Sequence, residues 1–315
     1  MQTVSSPRLA NFSDFIICCK SQLQVADFEK LCIVFWRVKY CRNRYAHSHP
    51  VLLVEDIVPW SVFVPPSLDP RTNVESKDTP YSPENNLTLR LYLPKNTQNQ
   101  KLPLLVYFHG GGVCIESAFS SLYHTFLNSF VSEANIIAAS VEYKQAPENP
   151  VPCPHDDSWT SLKWIASHSD GKGTNDWLNR HADFQRVFFS GDSAGGNIVH
   201  RMGLRHGLDK LEGVNVGGII LVHPFFWGKK PVADGTDDVN LREKLEGMRR
   251  FTCPTTSGFD DPGWYYTEIL KKSGWGGEAD VMESKGEDHC FHLTNPTSEN
   301  AVALLKKFVS FINQD

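Results

Sequence analysis

The 315-residue chain contains no run of about 18 consecutive apolar residues, so it carries no stretch that reads as a membrane-spanning helix. It has no excess of positive charge either: 31 Lys and Arg stand against 36 Asp and Glu, a formal net charge of −5. A nucleic-acid binder needs a concentrated basic face to neutralise phosphates, and this balance argues against one. No Cys-x-x-Cys occurs, so the eight cysteines match no zinc-binding pattern. Internal repeats and low-complexity tracts are missing too. A secretory leader is not evident, because the short apolar stretch Phe15–Cys19 follows Asp14 with little basic charge before it. What remains is 41% hydrophobic and 11% aromatic, ample for a packed core. Free thiols in a reducing compartment and a cytoplasmic location are the expectations.

The charge is unevenly spread. Residues 1–50 hold seven basic side chains against Asp14, Asp27 and Glu29, and four of the cysteines (Cys18, Cys19, Cys32, Cys41). A helix over about 22–44 is expected there, with an amphipathic membrane-surface segment as the sharper alternative. Residues 1–60 are read as a divergent N-terminal segment, and 61–315 as the main domain. The stretch 61–86, with Pro65, Pro66, Pro70, Pro80 and Pro83, reads as loop or edge structure.

From Leu87 the pattern becomes regular. Leu87–Leu93 alternates like a half-buried strand, and Leu104–Phe108 is the continuous apolar run of a buried parallel one. A helix over about 118–133 precedes a strand at Asn135–Val141. Asp156 or Asp157 caps a helix reaching His168. Arg186–Ser190 is a strand, 194–206 a helix, and Gly217–His223 the next strand. Glu278–Glu283 is a plausible last strand, while 224–262 reads as a covering segment. Alternating strands and helices predict an α/β fold with a mostly parallel sheet and helices on both faces.

Three motifs carry chemistry. Gly191-Asp192-Ser193-Ala194-Gly195 follows a strand and opens a helix, the context that a G-x-S-x-G nucleophile turn needs. Only small residues fit around so sharp a turn, and the helix start behind Ser193 offers positive potential and the Ala194 amide. His109-Gly110-Gly111-Gly112 follows the strand 104–108, and its glycines let backbone N–H groups approach a ligand closely. A histidine should follow late in the chain, and His289 and His292 in Gly286–His292 are the two candidates. Phe225, Phe226, Trp227 and Phe251 are candidate pocket walls.

These motifs, together with Val64–Pro70, Glu142-Tyr143, Ala146-Pro147, Asp156–Trp159 and His223–Trp227, make the sequence resemble the plant carboxylesterases. Those are hormone-sensitive-lipase-like α/β-hydrolases, a group that includes the gibberellin receptor. The resemblance implies an α/β-hydrolase fold and a serine esterase of small carboxylic esters, with Ser193 as nucleophile and His289, not His292, as general base. It implies Gly111, Gly112 and Ala194 as oxyanion donors, Gly110 shaping the loop, and neither metal nor cofactor. A small-molecule ester is the expected partner.

Two departures from the family stand out. Residues 1–60 do not resemble its cap region. Asp260-Asp261-Pro262 also runs directly into Gly263-Trp264, where the family places an interior strand and the catalytic Asp. Asp260, Asp261, Asp280 and Glu283 are the remaining carboxylates in that part of the chain, and loss of the strand predicts that 279–283 pairs with 217–222. The alternatives are a non-catalytic, hormone-receptor-like binding protein and a truncated pseudoenzyme.

Overall fold

The computed structural model describes residues 62–97, 100–146, 148–225, 280, 282, 284, 287 and 289–314. The expectations for 1–60, the covering segment, Phe226, Trp227, Phe251, Asp260, Asp261 and Glu283 lie outside these residues.

Seven strands form one sheet: β1 (Leu68–Asp69), β2 (Val74–Ser82), β3 (Leu87–Pro94), β4 (Leu102–Phe108), β5 (Ile137–Val141), β6 (Ala182–Asp192) and β7 (Val216–Val222). Their spatial order is β1-β2-β3-β5-β4-β6-β7. Strands β1, β2, β3 and β5 are antiparallel in succession, whereas β5, β4, β6 and β7 run parallel. Six helices accompany them among the described residues: α1 (Ser121–Ala134), α2 (Cys153–Ala166), α3 (Asp176–His181), α4 (Ala194–Leu208), α5 (Phe291–Thr294) and α6 (Glu299–Ile312).

Strand β4 shows why the sheet is covered twice. All seven of its residues are buried. Leu104, Val106 and Phe108 pack with Trp159 and Leu162 of α2 and Ile198 and Met202 of α4. Leu105 and Tyr107, pointing the other way, pack with Phe126 and Phe130 of α1 and Leu304 and Phe308 of α6. Period-two alternation through a continuously apolar strand therefore supplies two cores at once.

Some boundaries differ from the sequence expectation. The proline-marked stretch 61–86, expected as loop or edge structure, holds a nine-residue strand, β2, at the edge of the sheet: β1 pairs only with Val74 and Glu75, and Pro80, paired with Thr88, sits at the register shift between Pro80 and Ser82. Helix α2 starts at Cys153 rather than at an Asp cap, and Asp156 lies in its first turn. Asp157 is occupied elsewhere, accepting the Lys144 N–H at 2.9 Å. Asp280 and Met282 lie in no strand, and β7 is the last strand of the described sheet, so the expected pairing of 279–283 with 217–222 is not found among the described residues.

Candidate active site

The register of β4 against β6 sets Phe108 beside Gly191. The turns that follow these two strands, His109–Gly112 and Asp192–Ser193, are thereby brought together at the carboxyl edge of the sheet. That edge is where open α/β sheets place ligands.

Ser193 sits alone between the end of β6 and the start of α4, with φ 52° and ψ −117°. A non-glycine residue in this region carries strain of about 1–3 kcal/mol and persists only where its surroundings enforce it. They do so here. The Ser193 N–H donates to Val222 O at 2.9 Å, and the Phe225 N–H donates to Ser193 O at 2.8 Å. The flanking glycines have no alternative: a Cβ on Gly191 would lie 2.6 Å from Phe108 O, and one on Gly195 only 2.0 Å from the same atom. As the first residue of α4, Ala194 has an N–H with no acceptor within its own helix.

The glycine loop is built as tightly. Gly111 and Gly112 adopt φ of 89° and 61°, open only to residues without a Cβ penalty. Gly111 O accepts from the N–H groups of Cys114 and Ile115, both at 3.0 Å. Gly110 plays another part: its N–H donates to the Tyr123 hydroxyl at 2.9 Å, so that amide is committed to the scaffold. His109 is fully buried, stacked on Tyr143 at 4.3 Å and 7°, with Nδ1 2.9 Å from Gly110 O. Burial pushes its pKa down to about 4, which keeps the ring neutral and lets it hold the loop as a donor.

Beneath the loop lies a polar network that sequence reading did not find. Asp192 is buried and accepts from the Tyr107 and Tyr123 hydroxyls, each at 2.9 Å, and from Cys290 Sγ at 3.5 Å. Burial raises its pKa to about 6, against the pull of those three hydrogen bonds. Glu142, just after β5, accepts from Ser117 Oγ at 2.8 Å and the Ala118 N–H at 2.7 Å, while Gln145 Nε2 donates to Ile115 O and Glu116 O. The Glu142-Tyr143 pair singled out in sequence thus anchors the far end of the glycine loop. One signal for the network was available: a tyrosine inside an otherwise apolar buried strand, Tyr107, requires a polar partner.

The histidines separate clearly. His292 is buried in the α1 face, edge-on to Phe126 at 5.1 Å. Both histidines border His223, the residue following β7, His289 at 5.6 Å and His292 at 6.4 Å ring to ring, and His289 differs in being partly exposed. Its neighbour Cys290 donates its N–H to His223 Nδ1 at 3.0 Å and its thiol to Asp192. The neighbours of His289 and Ser193, Cys290 and Asp192, are thus in contact through the thiol and the carboxylate. Part of the His289 surface is open, yet the protein packed around the ring, with His223 adding to it, pushes its pKa down to about 3. His223, absent from the expected site, falls to about 4 through burial. Phe225 is partly exposed beside the serine. Asp280 pairs with Lys307 of α6.

A profile described as α/β hydrolase fold matches residues 105–262, and one described as carboxylesterase family matches 43–147. "Probable carboxylesterase 7" of Arabidopsis thaliana is 48% identical, with 80% of this chain and 91% of the relative covered. The chain belongs to the carboxylesterase family. Its relatives include a "2-hydroxyisoflavanone dehydratase" of Glycyrrhiza echinata, 38% identical over 80% of this chain and 89% of that one. Among solved structures, the thermostable carboxylesterase EstE1 from a metagenomic library superposes with a TM-score of 0.61 at 22% identity, covering 79% of this chain and 90% of that one. The last likeness carries the α/β-hydrolase fold of this carboxylesterase-family chain.

Proposed function

We propose that the protein is a serine carboxylesterase acting on small uncharged carboxylic esters. The observation that carries this reading is Ser193, held at positive φ on a strand-to-helix turn beside a glycine loop whose shape is fixed on both sides. In this reading the neutral His289 takes the Ser193 Oγ proton as the oxygen attacks the ester carbonyl. The N–H groups of Gly111, Gly112 and Ala194 stabilise the tetrahedral oxyanion, and Gly110 shapes the loop through Tyr123. His289 then passes the proton to the leaving alcohol, and water activated by the same ring releases the acid. One donor of this kind is worth about 2.7–4 kcal/mol of barrier. Phe225 lines the acyl pocket. No cofactor enters any step. The site lies in 61–315, and 1–60 stands in place of a cap.

Turnover is impaired in this reading, because the Asp that orients the base in the family falls in a block absent after Pro262. Two observations support the absence. The α/β-hydrolase match ends at residue 262. The alignment with the Arabidopsis relative runs over 283 positions yet uses 80% of this chain, so roughly thirty positions of the relative have no counterpart here. Replacing such an Asp by Asn in a serine protease lowers turnover by about 10⁴.

Purified protein treated with a fluorophosphonate probe, beside p-nitrophenyl acetate hydrolysis, tests the proposal. Labelling and slow hydrolysis are expected, both lost in Ser193→Ala. Absence of labelling in a protein with a cooperative melt overturns it in favour of a non-catalytic, receptor-like binding protein. Absence of a cooperative melt points instead to a truncated pseudoenzyme.

A further inference from the structure

The segment that carries the base also gathers metal-ligating atoms of two kinds. His223, His289 and Cys290 each bring one such atom, and these atoms lie within 4.8 Å of one another. Among the described residues no other trio of His, Cys, Asp or Glu does so. The trio is assembled by the fold. His223 is fixed at the end of β7 with φ 43°, and Cys290 takes φ 57°, which turns both its amide toward His223 and its thiol toward Asp192.

We propose that His223, His289 and Cys290 form an inhibitory binding site for a zinc-class divalent cation, which silences the enzyme by occupying its general base. Two imidazoles and a thiolate are the donors that borderline-soft Zn²⁺ prefers, with water as a fourth ligand. Tetrahedral bonds of about 2.0 Å to nitrogen and 2.3 Å to sulfur place such donors about 3.3–3.5 Å apart, so atoms as much as 4.8 Å apart close by roughly 1.5 Å on binding. His223 Nδ1, which accepts the Cys290 amide, is the unprotonated nitrogen of that ring. Coordination through Nδ1 takes the lone pair that accepts the Cys290 amide, and coordination through Nε2 moves the ring proton onto Nδ1, so either way that hydrogen bond is given up as the cation binds. The Cys290 thiol proton passes to solvent as the Zn–S bond forms, so affinity rises with pH. With its lone pair on the cation, His289 can no longer take the Ser193 proton. The inhibitory half of the proposal rests on the esterase reading, whereas the binding half does not.

The test uses chelator-stripped full-length protein and zinc chloride or cobalt chloride alone. Titration against a chromophoric chelator is expected to show a site with Kd of about 1 µM or tighter, and cobalt to give a thiolate-to-metal absorption band. Cys290→Ser should abolish that band, and both Cys290→Ser and His223→Asn should weaken zinc by about tenfold or more. On the unaltered protein, zinc should slow alkylation of Cys290 by iodoacetamide, mapped by mass spectrometry, and this readout stands even if the variants fail to fold. Zinc should suppress p-nitrophenyl acetate hydrolysis, and EDTA should restore it. An unprotected Cys290, or a cobalt spectrum without a thiolate band, overturns the proposal. A protein that hydrolyses nothing yet shows the band and the protection keeps the metal site and overturns the esterase reading instead.

Discussion

At the scale of single residues, Asp192 is the joint of the site. Its carboxylate binds Tyr107 from β4, Tyr123 from α1 and the Cys290 thiol, and Tyr123 in turn accepts the Gly110 amide. Tyr123→Phe removes an acceptor from a buried amide and a donor from a buried carboxylate, a loss of about 1–3 kcal/mol for each group left unsatisfied. The expected result is a fall in kcat of about tenfold or more with little change in KM, read by steady-state hydrolysis. Gly195→Ala should be worse, since its Cβ would meet Phe108 O at 2.0 Å and neither backbone can yield cheaply. A lower Tm and no fluorophosphonate labelling are expected. Ser193 and its glycines were legible in the sequence because a local turn dictates their spacing. The partners of Asp192 were not: Tyr107 lies 85 residues away, and such pairing exists only once β4 and β6 are side by side.

At the scale of elements, the strands were the most readable part. Their short apolar or alternating runs are bounded by turn residues and alternate with helical stretches, and β3 to β7 fall within a few residues of the expected bounds. Helix α6 went unread, although Ser298 accepts the Ala301 N–H as an N-cap and Ala301, Leu304, Phe308 and Ile312 line one buried stripe. Its signal is ordinary amphipathicity, which no chemical motif draws attention to. Phe308 packs on Phe130 of α1 at 5.7 Å. Phe308→Ala should cost about 3–5 kcal/mol, measured as a lower urea midpoint with an unchanged slope. Strand β2 was legible only as loop or edge structure: its prolines mark an edge, and the structure makes it one, with β1 pairing only Val74 and Glu75 and the register shifting just after Pro80.

At the scale of the whole molecule, nine described histidines have pKa values pushed down chiefly by burial: His109, His155, His200 and His223 to about 4, His289 and His292 to about 3, and His124, His168 and His206 less far. Below their ordinary value of 6.5 the unfolded chain binds protons that the folded one refuses, so acid drives unfolding. Asp192 acts the other way, holding a proton up to about 6 against an ordinary 3.8, but it is one group against nine. Tm should therefore fall steadily as pH drops from 7 to about 4.5, and a flat or rising Tm in calorimetry would contradict this. The order of the chain adds a consequence of its own for biosynthesis. The hydrogen bonds that fix Ser193 and Gly110 come from Val222, Phe225 and Tyr123, all made on the ribosome before His289 and Cys290 emerge. A domain folds as a unit, however, and α6 completes the core that Tyr107 and Tyr123 share, so the Ser193 turn and the glycine loop are fixed only once the last helix has been made. A chain still held on the ribosome with α6 unmade thus lacks one wall of that core, and release from the ribosome rather than synthesis of Ser193 is what lets the turn settle.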